Sequence, residues 1–201
     1  MEEGRSNFSS LVKKRIVVRE FRQPRTGKFD LDIKEIASNG VRIPTAGFSR
    51  GIEILTILHP DNINKIAAIA HEEKYTAKGL APWVSWAEGI IIILVNKGAY
   101  EERYGMEDKE SSLNIDNWHM PYWYIDAGAA LMNILLGAED KGLGSGFLGG
   151  HNIDLVNLRS EFKIPREIEV LGLVPIGVRK DTNKKKTSEK KKLIYAEIYG
   201  K

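Results

Sequence analysis

The chain has 201 residues, 42 % hydrophobic and 28 % charged, with 7 prolines. This composition suits one compact domain and excludes collagenous, low-complexity and wholly disordered classes. With no cysteine, disulfide scaffolds, thiolate metal sites, iron–sulfur clusters and cysteine nucleophiles are all excluded. The net charge of +3 is local, because Lys184 to Lys192 holds six Lys and one Glu, and the spread basic stripe of a nucleic-acid surface is missing.

In chain order, Phe8, Leu11, Val12 and Ile16 repeat at helical spacing, so Phe8 to Val18 is expected to be a short helix capped by Ser6 or Asn7. Asp32 to Ser38 opens on Asp32-x-x-Glu35 and closes on Asn39-Gly40, the cap and stop of a second helix. Val41 to Gly47 is a loop. Ile52 to Leu58 reads as a strand that turns at His59-Pro60-Asp61 into a helix running to Ala70. Ile90 to Val95 is a strand apolar enough to be buried on both faces. It is also the longest strongly apolar run, far below the roughly 20 residues of a membrane helix. The start MEEGRSNF lacks the apolar core of a signal peptide, so a cytoplasmic protein is expected.

A polar excursion of loops and short turns is expected over residues 98–117, long for a connector and therefore a candidate for function. Asp126 to Lys141 carries the clearest helical pattern, with Ala127, Ala130, Leu131, Ile134, Leu135 and Ala138 on one side and Gly142 as the stop. Gly142 to Gly150 reads as a glycine-rich turn, Leu155 to Phe162 as a short helix and Glu169 to Val178 as a third strand. The end of the chain, from about residue 184 to 201, is lysine-rich and then apolar, which suggests a closing strand or arm. One domain spanning 1–201 accommodates all of these elements.

Gly144-Ser145-Gly146-Phe147-Leu148-Gly149 matches G-x-G-x-x-G, but the dinucleotide fingerprint needs a strand before its glycines and a helix after them. Here a long helix precedes. The glycines could instead let backbone N–H groups approach a flat ligand, beyond the one or two that a helix stop requires. His59, His71, His119 and His151 have no ligand spacing, so they read as surface or packing residues and no metal site is expected. No G-x-S-x-G occurs, which argues against a hydrolase. Trp118, Tyr122, Trp123 and Tyr124 could stack on a planar ligand or pack in a core or interface. Lys13-Lys14-Arg15, Arg19 and Arg22 would ordinarily be a solvated face. Arg15 and Arg19, four apart at a helix end, could instead hold an anionic cofactor.

Four segments in order carry a resemblance. They are Arg15-Ile16-Val17-Val18-Arg19-Glu20-Phe21; Pro44-Thr45-Ala46-Gly47-Phe48-Ser49-Arg50-Gly51 before a strand; Asp126-Ala127-Gly128-Ala129-Ala130 opening a helix that ends Gly142-Leu143-Gly144; and Ile164-Pro165 before Leu173-Val174-Pro175-Ile176-Gly177. Over nearly the whole chain this set resembles the FMN-dependent nitroreductase family. The resemblance implies an α+β fold, three layers α-β-α around a mainly antiparallel sheet. It also implies a homodimer with FMN at the subunit interface and exchange of the C-terminal arm.

By the same resemblance, Arg15 contacts the FMN phosphate, with Ile16 and Val17 beside it, and Arg19 lies near the flavin pyrimidine edge. Pro44, Thr45, Ala46, Phe48 and Arg50 border the flavin from the other subunit. Leu148, Gly149 and Gly150 supply the backbone that faces flavin N5, and Lys185 and Lys186 complete the phosphate site; apart from the resemblance, Trp118 and Tyr122 are expected at the substrate pocket. Val17, Phe48, Arg50 and Gly51 depart from the residues common in the family. The implied activity is ping-pong hydride transfer from NADH or NADPH to FMN and on to a small-molecule acceptor such as a nitroaromatic or quinone. No catalytic side chain is required, because flavin N5 carries the chemistry. The alternatives are a flavin-dependent dehydrogenase or dehalogenase acting on a specific metabolite or peptide, and a non-catalytic flavin-binding protein.

Overall fold

A computed structural model of the chain describes residues 8–23, 25–109, 118–180 and 194–199. The strands are β1 (Ile52–Ile57), β2 (Gly89–Asn96), β3 (Gly144–Ser145), β4 (Leu148–Gly149) and β5 (Ile168–Gly177). They form one sheet in the order β1-β2-β5-β3, with β4 also paired to β5, and every strand pairing is antiparallel. The helices are α1 (Phe8–Lys14), α2 (Asp30–Gly40), α3 (Pro60–Ile69), α4 (Glu72–Thr76), α5 (Lys97–Tyr104), α6 (Tyr122–Asp140) and α7 (Leu155–Phe162).

β2 lies between β1 and β5, so both of its faces must be apolar, and its run of isoleucines meets that need. Ile90, Ile92 and Leu94 join the core under α3 and α7, whereas Ile91, Ile93 and Val95 join the core under α2 and α6. Period-two alternation thus gives an α-β-α sandwich with a core on each side of the sheet. Truncating a fully buried isoleucine such as Ile91 to alanine would cost about 2–5 kcal/mol.

Several expected boundaries move. The first helix stops at Lys14, and Arg15 to Arg19 lie beyond it, with Val17 bridged in parallel to Ser145. The second helix begins at Asp30 without a side-chain cap, so Asp32-x-x-Glu35 does not serve as one. The excursion from residue 98 is not all loop: α5 occupies its first part, capped by the Asn96 side chain accepting from Ala99 N–H at 3.3 Å. α6 starts at Tyr122 rather than Asp126.

Gly142 to Gly150 is not simply a turn. β3 and β4 run along β5 in one continuous register, Gly144↔Gly177 through Gly149↔Gly172, interrupted opposite Val174 and Pro175. Pro175 has no N–H to donate, which splits what is otherwise a single strand.

Candidate functional site

The N-terminal motif and the glycine ribbon come together because Val18 N–H donates to Ser145 O at 2.9 Å. Along this segment Val18 is fully buried while Val17 and Arg19 are exposed. In an extended chain alternate residues share a side, so this pairing turns Arg19 outward beside the ribbon. No ion pair or side-chain hydrogen bond holds Arg15 among the described residues.

A cleft of about 700 Å³ opens at this junction, within the usual range of small-ligand sites. It is lined by Arg19, Glu20, Tyr75, Leu80, Ala81 and Trp83 and, from the ribbon and the residues after it, by Phe147, Leu148, Gly149, His151 and Asn152. The Arg19 guanidinium sits 5.9 Å from the Trp83 ring centroid, within cation–π range, which keeps a positive charge on the cleft wall.

Space around the ribbon glycines assigns their roles. A Cβ on Gly144 would meet Val18 at 2.8 Å, one on Gly146 the Val18 carbonyl at 2.8 Å, and one on Gly150 the Val170 carbonyl at 2.7 Å. Gly142, with φ +71, is the left-handed helix stop. These four are thus required by the chain's own packing. Gly149 differs: it lines the cleft, and a Cβ there would be crowded below 3.4 Å only by the His151 ring, at 3.0 Å.

The remaining site residues lie elsewhere on the chain. Ala46 N–H donates to Asp126 Oδ2 at 2.9 Å, Arg50 N–H to Thr45 Oγ1 at 3.0 Å, and Arg103 Nε to Gly47 O at 2.8 Å. Gly47 adopts a φ of 61°, free for a glycine, whereas Phe48 and Arg50 adopt 64° and 55°, strained conformations of the kind that persist only where surrounding contacts hold them. Phe48 is 68 % exposed, with the Arg50 guanidinium 4.6 Å from its ring centroid. Pro44 is exposed at the start of this loop.

This loop abuts the aromatic group. A Cβ on Gly47 would meet Tyr104 at 2.6 Å; Tyr104 lies 4.7 Å from Trp118, which lies 5.1 Å from Tyr122. Trp118 also stacks on buried Trp123, so its ring serves packing whatever else it does.

Within one chain the sequence-derived residues therefore form two groups. Arg19, Leu148 and Gly149 line the cleft, while Arg15, Ile16, Val17 and Gly150 belong to the adjoining segments without lining it. The loop from Pro44 to Arg50 joins Trp118 and Tyr122 in the second group, which does not line the cleft. Lys185 and Lys186 lie outside the described residues, as does most of the expected arm. Tyr75, Trp83 and His151 were not anticipated as site residues: Tyr75 and Trp83 sit in an aperiodic stretch with no motif, and His151 reads as a packing residue. Among the described residues no group of three or more His, Asp or Glu could hold a metal ion, and no helix is long and apolar enough to cross a membrane.

Comparison with known proteins agrees with this architecture. The model of the nitroreductase family matches residues 12–178. No match is found among curated proteins. Among solved structures, NfrA1 nitroreductase from Bacillus subtilis superposes with a TM-score of 0.72 at 18 % identity, over 95 % of this chain and 74 % of that one. A nitroreductase family protein from Clostridium novyi gives 0.67 at 22 % identity, over 90 % and 89 %. A candidate NADH dehydrogenase/NAD(P)H nitroreductase from Bacteroides thetaiotaomicron gives 0.69 at 21 %, over 94 % and 96 %. With its family model covering most of the sequence and its sheet and helices in the same arrangement, the chain belongs to the nitroreductase family of oxidoreductases.

Proposed function

We propose that this chain is an FMN-dependent oxidoreductase that works as a homodimer, taking electrons from NADH or NADPH and giving them to a nitroaromatic, a quinone or a similar small acceptor. The observation that carries this reading is that Arg19 and Gly149 line one cleft, a cation and a backbone with no side chain. When bound there, FMN would supply the two-electron chemistry, accepting a hydride at N5 and passing the electrons on.

The residues present fit that group. Arg15, with no ion pair among the described residues, is available for bidentate contact with a phosphate. Arg19 supplies a fixed positive charge where a reduced flavin ring becomes anionic, which favours the reduced state. Trp83 and Phe147 offer apolar walls to a planar ring, and Gly149 leaves its backbone approachable. The loop from Pro44 to Arg50, remote from its own chain's cleft, would border the flavin of the second subunit, with Trp118 and Tyr122 behind it shaping the acceptor's pocket.

The test is the visible spectrum of the protein after incubation with FMN and gel filtration, followed by anaerobic addition of NADH or NADPH. The expected result is a retained flavin band near one per subunit that bleaches with at least one donor. A protein that retains no flavin, or retains it and is reduced by neither donor, would overturn the reading.

A further inference from the structure

Beside the cleft lies a second recess of about 410 Å³ that shares Tyr75, His151 and Asn152 with it. A second ligand lying against FMN in the cleft can therefore reach the recess. The two differ in character: the cleft is mainly apolar, whereas the charged and ionisable walls of the recess are His71, Lys74, Lys78 and Asp154.

Lys74 lies in α4 and Lys78 in the turn that continues it, held by Ala77 N–H to Glu73 O and Lys78 N–H to Tyr75 O, both 3.0 Å. Residues four apart on such a turn project from the same side. Neither lysine makes an ion pair among the described residues. Of the acidic groups, Asp154 lines the recess and accepts from Asn157 N at 3.1 Å and Asn157 Nδ2 at 2.7 Å, neutral donors that leave its charge in place, and Glu73 Oε1 lies 3.6 Å from His71 Nδ1. The recess thus presents two ammonium groups against one lining carboxylate, a net positive end beside a mainly apolar cleft, which suits a ligand whose far end is a multiply charged anion.

We propose that this recess holds the 2′-phosphate of NADPH and makes the chain select NADPH over NADH. The inference rests on the reading of a reduced nicotinamide as donor. The two nucleotides differ only in that phosphate monoester, which carries a charge of about −1.5 to −2 at neutral pH. Arg15, assigned to the flavin phosphate, lines neither the cleft nor the recess, so the two phosphates would not compete for one set of cations.

Calorimetric titration of the full-length protein with adenosine 2′,5′-bisphosphate and with adenosine 5′-monophosphate isolates the 2′-phosphate. The first should bind at least about tenfold more tightly, the worth of one charge-assisted hydrogen bond. In a Lys74→Ala/Lys78→Ala variant the preference should collapse, and Lys74→Arg/Lys78→Arg should restore it. The ratio of kcat/KM for NADPH over NADH should fall in parallel. Equal binding of the two probes by the unaltered protein, or a preference unchanged in the alanine variant, would overturn the proposal. Retention of FMN is read separately by absorbance: loss of flavin with the preference intact overturns the proposed function alone, and flavin retained with no preference overturns the recess alone.

Discussion

The Tyr100 hydroxyl donates to Asp126 Oδ2 at 2.8 Å, and the same carboxylate oxygen accepts the Ala46 N–H at 2.9 Å. Both side chains are buried, so α5, α6 and the strained loop from Pro44 to Arg50 are tied at one oxygen. Burial, then the bond to Asp126, pushes the Tyr100 phenol well above its ordinary value, which keeps it a neutral donor. Tyr100→Phe should cost about 1–3 kcal/mol, the range for leaving a buried acceptor without its donor. Hydrogen exchange at the Ala46 amide should accelerate in the same variant. Unchanged melting and exchange would show that the loop is held by other contacts.

Two glycine substitutions should act in opposite directions. Gly150→Ala forces a Cβ to 2.7 Å from the Val170 carbonyl, and β5 is held on both sides and cannot easily yield. A loss of about 1–3 kcal/mol is expected in denaturant unfolding. Gly128 sits on the exposed face of α6 with nothing within 4 Å of an added Cβ. Gly128→Ala should therefore gain about 0.5–1 kcal/mol from helix propensity. A concentration-dependent loss instead would reveal a second helix packed closely on that face.

Glu169 accepts from Tyr124 at 2.6 Å and pairs with Lys97. Burial pushes its carboxyl upward, but the bonds from Lys97 and Tyr124 outweigh burial and hold it below the ordinary 4.5. A depressed folded value means that this contribution is complete above pH 4.5 and is lost as pH falls through the folded value. Glu169→Gln should thus lower the melting temperature more at pH 7 than at about pH 3. The side chain is 36 % exposed, so the difference should be small and should shrink with added salt. An equal effect at both pH values would show that the bonds do not depend on the charge.

Arg15→Ala should weaken FMN binding by about 1.5–3 kcal/mol if this guanidinium holds the phosphate. Flavin fluorescence titration reads this directly. Unchanged affinity would place the phosphate at other residues.

Legibility followed locality. α7 was readable to the residue, and β2 nearly so, because their periodicity and apolar content are written in one short window. α5 was missed because Tyr100 is its only buried residue and the rest is polar, leaving just the Asn96 cap as a signal. The ribbon from Gly144 to Gly149 was misread because its strand character comes from β5, and its interruption from Pro175, some thirty residues later. The juxtaposition of the Arg15–Arg19 segment with that ribbon could be anticipated only by resemblance. Tyr75 and Trp83 reach the cleft through tertiary placement, which no spacing in the sequence encodes.

The run Ile90 to Val95 has one further consequence, for the chain before it folds. It is β-branched-rich, uncharged and free of Pro and Gly, the composition of a segment that stacks readily with copies of itself. In the native protein β1 and β5 occupy both of its edges and helices cover both of its faces. Glu88 and Lys97 are the nearest charged residues, one on each side, in the position of gatekeepers against self-association. Substitutions that delay docking of β1 or β5 would therefore show first as loss of soluble yield during synthesis, even where the folded protein melts at an unchanged temperature.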